Sequence, residues 1–380
     1  MRTVQDSRSS ELPPVVDRFV RVVSWLDEAR WRGAPDLFSK PVYDSLDASK
    51  KLLVHWLCYI TNRQRPFRQV WDDGGFVFSA VVASYPRLVS PSGGVRQFLE
   101  RHQTKGKGEL PAYYASSGGR EVTYAPRFGA DHESIERTLE ILYDYGGSLA
   151  AFISAFVSRF RSEPEGLRRL AHSLDLLSYR REVPLHEARS LLRSDAALAR
   201  DFRAWKRSST EHHKRLWASL RDYRKPGSPF RRYLETQVQW PDSGFEINQL
   251  ELPGDVWNQR FSKRLVGRIA SAVVLDASPA KASKTARRLY DRIVRLDPHT
   301  SFYPERLDVS FDFTPRMCEQ DMCDVCLLSE PARLLCPGQA AQEAGLLCPV
   351  LLLACGYRQP CVAASCPVAA GISYGLCGGQ

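Results

Sequence analysis

A mostly α-helical protein is the fold class this sequence predicts. Three observations predict it: apolar residues recur at helical spacing along most of the chain, strand-like alternation is scarce, and β-branched runs are few. The elements follow in order. An amphipathic stretch from Val15 to Glu28 carries Val16, Phe19, Val20, Val23 and Trp25-Leu26 at helical spacing. A second helix starts near Asp47, a plausible N-cap, and runs through KKLLVHWLCYITNRQ until Pro66 stops it. After Gly74-Gly75 comes a short apolar segment, FVFSAVVASY. From Gly106 to Gly129 the chain reads as a long loop, rich in Gly, Ser, Tyr and Pro and basic around Lys105 and Lys107. Helical periodicity returns with Ile135, Leu139 and Leu142, breaks at Gly146-Gly147, and resumes through Leu149, Phe152, Phe156 and Phe160. Further helices are expected over Gly166 to Leu177, Leu185 to Arg193 and Ala196 to Tyr223.

At 380 residues the chain has room for about two to three domains and an ample core. No apolar run is long enough to span a bilayer; Leu351-Leu352-Leu353 is short and bounded by cysteines, so no membrane association is expected. The opening MRTVQDSRSSELPP lacks the apolar stretch of a signal peptide, which gives the expectation of a cytoplasmic chain in a reducing compartment. Lys and Arg number 53 against 43 Asp and Glu, a formal charge of +10. That excess suits a polyanion, and nucleic acid is the first candidate. Its densest part runs from Phe202 to Arg232, where Trp205, Trp217, Tyr223 and Phe230 interleave with ten basic residues. This segment is either a solvated helix face whose aromatics enter the core or a nucleic-acid surface.

The cysteines crowd at one end. Of 10, only Cys58 precedes Cys318, and a secreted disulfide framework would spread them through the fold. Cys318, Cys323, Cys326 and Cys336 read C-x4-C-x2-C-x9-C, a set able to wrap an iron–sulfur cluster or a tetrahedral zinc. Cys348, Cys355, Cys361, Cys366 and Cys377 follow without an assigned role.

Residues 251 to 267, ELPGDVWNQRFSKRLVG, lead from an extended Leu-Pro-Gly into Asp255. There its carboxylate can cap a helix carrying Arg260, Phe261, Arg264 and Leu265 at helical spacing. Upstream, RKPGSPFRRYLETQV from Arg224 supplies Pro226-Gly227 in a turn whose backbone N–H groups would meet a phosphate. Further upstream, YITNRQRPF ends a helix in Asn62 and Gln64, polar residues that either cap it or face a partner. In this order the segments resemble the helix-hairpin-helix DNA glycosylases, the superfamily of endonuclease III and the adenine glycosylase. Those enzymes carry a Gln-bearing helix, a Leu-Pro-Gly-x-Gly hairpin, an Asp motif and a cysteine loop. The chain keeps Pro253, Asp255, Arg260 and Arg264-Leu265 at matching spacing. It has Gly254 for the family's Val, Val256-Trp257 for Thr-His, and Ser228-Pro229 where the second hairpin glycine would stand. The central Cys323-Asp-Val-Cys326 matches the family's loop, and the outer cysteine spacings differ.

The resemblance implies two helical domains with a DNA-binding cleft between them and a Cys-rich metal-binding C-terminal region. Residues 1–45 plus 250–336 would form one domain with the catalytic Asp and the metal loop. Residues 46–249 would form the other with the degenerate hairpin, and 337–380 a Cys-rich tail. It implies a DNA glycosylase acting on double-stranded DNA with a modified base and needing no protein partner. On this resemblance Asp255 would be the catalytic residue, and Asn62, Gln64, Gly227, Ser228, Arg231, Arg232 and Arg260 would contact DNA. Cys318, Cys323, Cys326 and Cys336 would hold a [4Fe–4S] cluster, with zinc as the alternative. Bifunctional relatives use a lysine amine in the second hairpin helix. That register falls on Arg231 or Arg232, which stay protonated and form no Schiff base, so a monofunctional enzyme is expected. Uracil, oxidised pyrimidines, alkylated purines and hypermodified phage cytosines all remain open as substrates. The rival reading is a non-enzymatic nucleic-acid-binding protein with a zinc-stabilised tail.

Overall fold

The computed structural model describes residues 20, 24, 27, 41–62, 70–85, 94–106, 110–117, 120–208, 213–225, 228, 230, 231, 235, 245, 247–253 and 279–308. The protein is mostly α: the described residues form ten α-helices and one three-stranded sheet. None of these helices is long and apolar enough to cross a membrane. The chain divides into two compact units, Met1–Gly33 with Leu250–Gln380, and Ala34–Gln249.

In the unit from Ala34 to Gln249, helix α1 (Ala48–Ile60) is central, packing on α2 (Gly75–Ser84), α4 (Gly129–Tyr143), α5 (Leu149–Phe160) and α9 (Lys214–Arg224). Every residue from Leu52 to Ile60 is buried, as expected of a helix apolar on all sides. Asp47 caps it by accepting from the Lys50 N–H at 2.8 Å. The helix ends at Ile60, several residues before Pro66. The Thr61 hydroxyl donates to Leu57 O at 2.9 Å, and the Asn62 N–H tightens to Tyr59 O at 3.1 Å. A local side-chain bond thus competes with continuation of the helix.

The segment FVFSAVVASY forms α2, entered through a π-turn over Val70–Gly74. A Cβ on Gly75 would collide with the Tyr43 hydroxyl, so the close approach requires glycine there. After α3 (Gly94–Arg101), the expected Gly106–Gly129 loop is corrected to a β-hairpin. Strands β2 (Ala112–Ser117) and β3 (Arg120–Tyr124) pair antiparallel, with Tyr113 opposite Tyr124, and β1 (Gln103–Thr104) adds to β2. Tyr113, Ala115 and Tyr124 are buried, so tertiary packing of one strand face supplies what weak intrinsic propensity does not.

Between α4 and α5, Gly146 and Gly147 adopt φ of 65° and 74°, the left-handed region that ends a helix. The Gly147 N–H reaches back to Leu142 O at 2.9 Å, and Ser148 caps α5. Helices α6 (Gly166–Ser178) and α7 (Leu185–Arg193) follow the expected periodicity. The single helix expected from Ala196 to Tyr223 is corrected to two, α8 (Asp195–Trp205) and α9. Ser208 bonds Trp205 O through both its N–H and its hydroxyl, closing α8 with a turn.

Buried polar groups tie α6 to its neighbours. His172 Nε2 meets Asp201 Oδ2 at 2.6 Å, and Arg180 donates to the same oxygen. The Trp205 indole donates to Asp175 Oδ2 at 2.7 Å. Burial pushes the Asp175 carboxyl up to about 7, whereas the unfolded chain ionises it near the usual carboxylate value of about 4. The folded state therefore holds a proton that unfolding releases, and stability falls as pH rises from about 4 to about 7, by on the order of 4 kcal/mol. Asp175→Asn keeps an acceptor for Trp205 without the charge. It should flatten that window and raise the urea midpoint at pH 8 above wild type; equal midpoints at pH 8 would exclude the assignment.

In the other unit, Val20, Ser24 and Asp27 are helical and buried. Ser24 bonds Ser301 at 2.8 Å, while Asp27 accepts from Tyr303 OH and pairs with Arg306, each at 3.2 Å. The described residues also include 250–253 and α10 (Pro279–Leu296).

Candidate nucleic-acid interface

Helices α1 and α9 run antiparallel in contact. Near the start of α9, Arg215 donates to Ile60 O at the end of α1, and its guanidinium lies 4.9 Å over the Tyr179 ring. Near the end of α9, Tyr223 OH and His55 Nδ1 are hydrogen-bonded at 3.2 Å. Around His55 the rings of Tyr59, Trp71, Tyr223 and Phe230 close an aromatic box. Burial holds its imidazole well below the ordinary histidine range, so it is neutral. Beside it, Tyr59 OH donates to Asp222 Oδ2 and Arg221 Nε pairs with Asp222 Oδ1 at 2.9 Å, a buried charge pair with hydrogen-bonding partners on both oxygens.

These contacts position the two segments expected to face DNA at opposite ends of α9. Asn62, half-buried, follows Ile60 at one end; Gln64 lies outside the described residues. At the other end the Ser228 N–H closes a turn on Lys225 O at 3.1 Å, and Arg231 and Glu235 beyond it are helical. The 11 residues of α9 separate them by on the order of 15 Å. Ser228 is buried, and its Oγ accepts from the Phe230 N–H at 3.3 Å, while the Arg231 N–H goes to Ser228 O. The Arg231 side chain pairs with Glu235 at 2.5 Å. Gly227 and Arg232 lie outside the described residues.

Much of the basic charge in this segment is engaged inside the protein. Arg221, Arg224 and Lys225 are buried, Arg224 donates to Phe245 O, and Lys206 pairs with Glu165 at 2.7 Å. The interleaved Trp205, Trp217, Tyr223 and Phe230 are all core residues. Arg203, Arg207 and Lys214 are exposed.

Asp255 and Arg260 lie outside the described residues, but residues 250–253 leading toward them do not. Leu250, Glu251, Leu252 and Pro253 are buried. Glu251, 1% exposed, accepts at Oε1 from Arg287 Nη2 (2.9 Å) and Nε (3.2 Å), and at Oε2 from the Ser283 hydroxyl (3.1 Å). Arg287 Nη2 also reaches Leu250 O at 3.4 Å. Both donors belong to α10, a helix that the periodicity reading above passes over although PAKASKTARRLYDRIVRL is strongly amphipathic.

Elsewhere, a groove of about 580 Å³ lies between α3, α4 and α7. It is laced by Arg96–Glu136 and Arg181–Glu133 at 2.7 Å and Arg189–Glu140 at 3.3 Å. Among the described residues no group of His, Cys, Asp and Glu is arranged to hold a metal, and the cysteines from Cys318 to Cys377 lie outside them. Cys58 is buried, with its thiol directed at Val70 O. The class these observations define is a mostly helical protein with a basic excess. No protein-family model, curated protein or solved structure matches the chain.

Proposed function

We propose that the protein is a monofunctional DNA glycosylase acting on a damaged or modified base in duplex DNA. The base must leave the stack before its glycosidic bond is reachable, at a cost of a few kcal/mol. Gln64 fills the gap and Asn62 faces the base. The turn at Gly227 and Ser228, with Arg231, Arg232 and Arg260, holds phosphates. Cleavage builds positive charge on the deoxyribose, which the Asp255 carboxylate stabilises while orienting water. Water adds its hydroxyl to the sugar carbon and the base departs with the proton, leaving an abasic site.

The observation that best supports this reading is the pinned lead-in. A carboxylate that stabilises a transition state must be held in place beforehand, and the chain four residues before Asp255 is locked to α10 through both oxygens of Glu251. The four cysteines of the proposed [4Fe–4S] or zinc loop would pin a phosphate-facing loop carrying Arg316 and Arg333, and the reaction needs nothing further from them.

The test is incubation of the full chain with duplexes bearing uracil, oxidised, alkylated or glucosylated bases, followed by alkali to cut abasic sites. Cleavage after alkali is expected for one class. Borohydride should trap no protein–DNA adduct, because Arg231 and Arg232 stand where a Schiff-base lysine would. Release of glucosylated cytosine would place the enzyme in antiviral defence. DNA binding without base release from any duplex, by a colourless zinc protein, would support the non-enzymatic reading instead.

A further inference from the structure

Helix α10 has a second face. Lys284, Arg288, Arg292 and Arg295 are all exposed, and at 3.6 residues per turn they fall within about 80° of one another. Ser283, Ala286 and Ile293 are buried on the opposite side. Among the described residues none of the four cations makes an ion pair, and Asp291 is the one acid on the same arc. Lys284 with Arg288, and Arg288 with Arg292, are like charges one turn apart, a spacing that opposes the helix in the free protein. In the other unit Arg96, Arg181 and Arg193 each meet a carboxylate within 2.9 Å, whereas Arg203 and Arg207 are exposed and make no ion pair among the described residues. A stripe left unneutralised on a helix fixed by Glu251 is a surface built for a polyanion.

We infer that this face of α10 is a phosphate track for duplex DNA. This rests on DNA being the polyanion of the proposed function, not on base excision. The four cations span about 16 Å of helix axis, a length over which one strand of B-DNA offers about five phosphates. Lys and Arg ends of this kind contact phosphate and read no sequence, so the track would position the protein on any duplex. An anionic membrane is a poorer fit, because Ala286 and Ile293 are already buried and an interfacial helix must insert its apolar side.

The experiment measures the Kd of the full chain for a short unmodified duplex across roughly 0.05 to 0.2 M salt. It compares wild type with Lys284→Gln/Arg288→Gln/Arg292→Gln/Arg295→Gln. The slope of log K against log salt should shrink by about 3 to 4, and binding at roughly 0.15 M should weaken on the order of 100- to 1000-fold. The Tm should stay level or rise as like charges are removed. Arg96→Gln/Arg181→Gln/Arg193→Gln lowers net charge elsewhere and should leave most of the slope intact. An unchanged slope in the α10 variant would overturn the proposal. So would an equal loss in the second variant, which would mean bulk charge alone, or loss of binding to phosphatidylserine vesicles but not to duplex. Since no base is released, failure of the excision assay leaves this result standing, and the reverse holds too.

Discussion

Asp255→Asn is expected to bind modified duplex as tightly as the wild type while releasing its base at least about a thousandfold more slowly. Asparagine keeps the shape and can still cap a helix, so local folding should survive. What it removes is a negative charge that meets the sugar only as the glycosidic bond breaks. Preorganised electrostatic groups are worth about 10²–10³ each in rate, and a group that also positions water adds to that. Because the interaction exists only in the transition state, the loss should appear in single-turnover excision and not in Kd. The reading fails if the variant excises at the wild-type rate, or if binding and excision fall together.

Arg287→Met should be the most damaging substitution away from the chemistry. It takes from Glu251, 1% exposed, both guanidinium donors to Oε1, and of the described contacts to the buried carboxylate the Ser283 hydroxyl remains. Breaking a buried ion pair by removing one partner costs about 3–5 kcal/mol, a large part of a typical stability of about 5–15 kcal/mol. Thermal and urea unfolding should register it. Excision should also fall, on the order of a hundredfold, since a displacement of about 1 Å in a reacting group has that effect. Removing both charges in Glu251→Leu/Arg287→Met should restore most of the stability, because neither member of this pair is left buried without the other. If the single variant costs under about 1 kcal/mol, the Glu251–Arg287 pair is not what holds residues 250–253. Arg287→Lys, which keeps the charge but loses the second donor to Oε1, should fall between.

The residues of the candidate site divide by how local their cause is. The Asp47 cap, the left-handed Gly146-Gly147 break and α7 were legible because each depends on neighbours a few residues away. The end of α1 was misjudged because Thr61 bonds back to Leu57, a choice open to any threonine at that place. The hairpin was read as a loop although Gly118-Gly119 between AYYASS and REVTY is a two-residue turn signal. Its strands are short and polar on one side, and burial of Tyr113 and Tyr124 decides their state. The long basic helix is split where Ser208 bonds back to Trp205 O, while the internal use of Asp222 and Arg224 depends on partners well separated in sequence, Tyr59 and Phe245.

By itself the sequence determined the helical class, most helix positions, the basic excess, and the chain order of Asn62-Arg63-Gln64, Pro226-Gly227, Asp255 and the crowded cysteines. Periodicity, capping and charge are local or additive, so they survive being read along a line. Only the tertiary structure decided which basic residues are consumed in the core and which of them line the outer face of α10. It also decided that Glu251, four residues before Asp255, is locked to Arg287 and Ser283. Whether a charge is neutralised or left exposed depends on which distant groups folding brings within a few ångströms of it, and spacing along the chain carries no record of that.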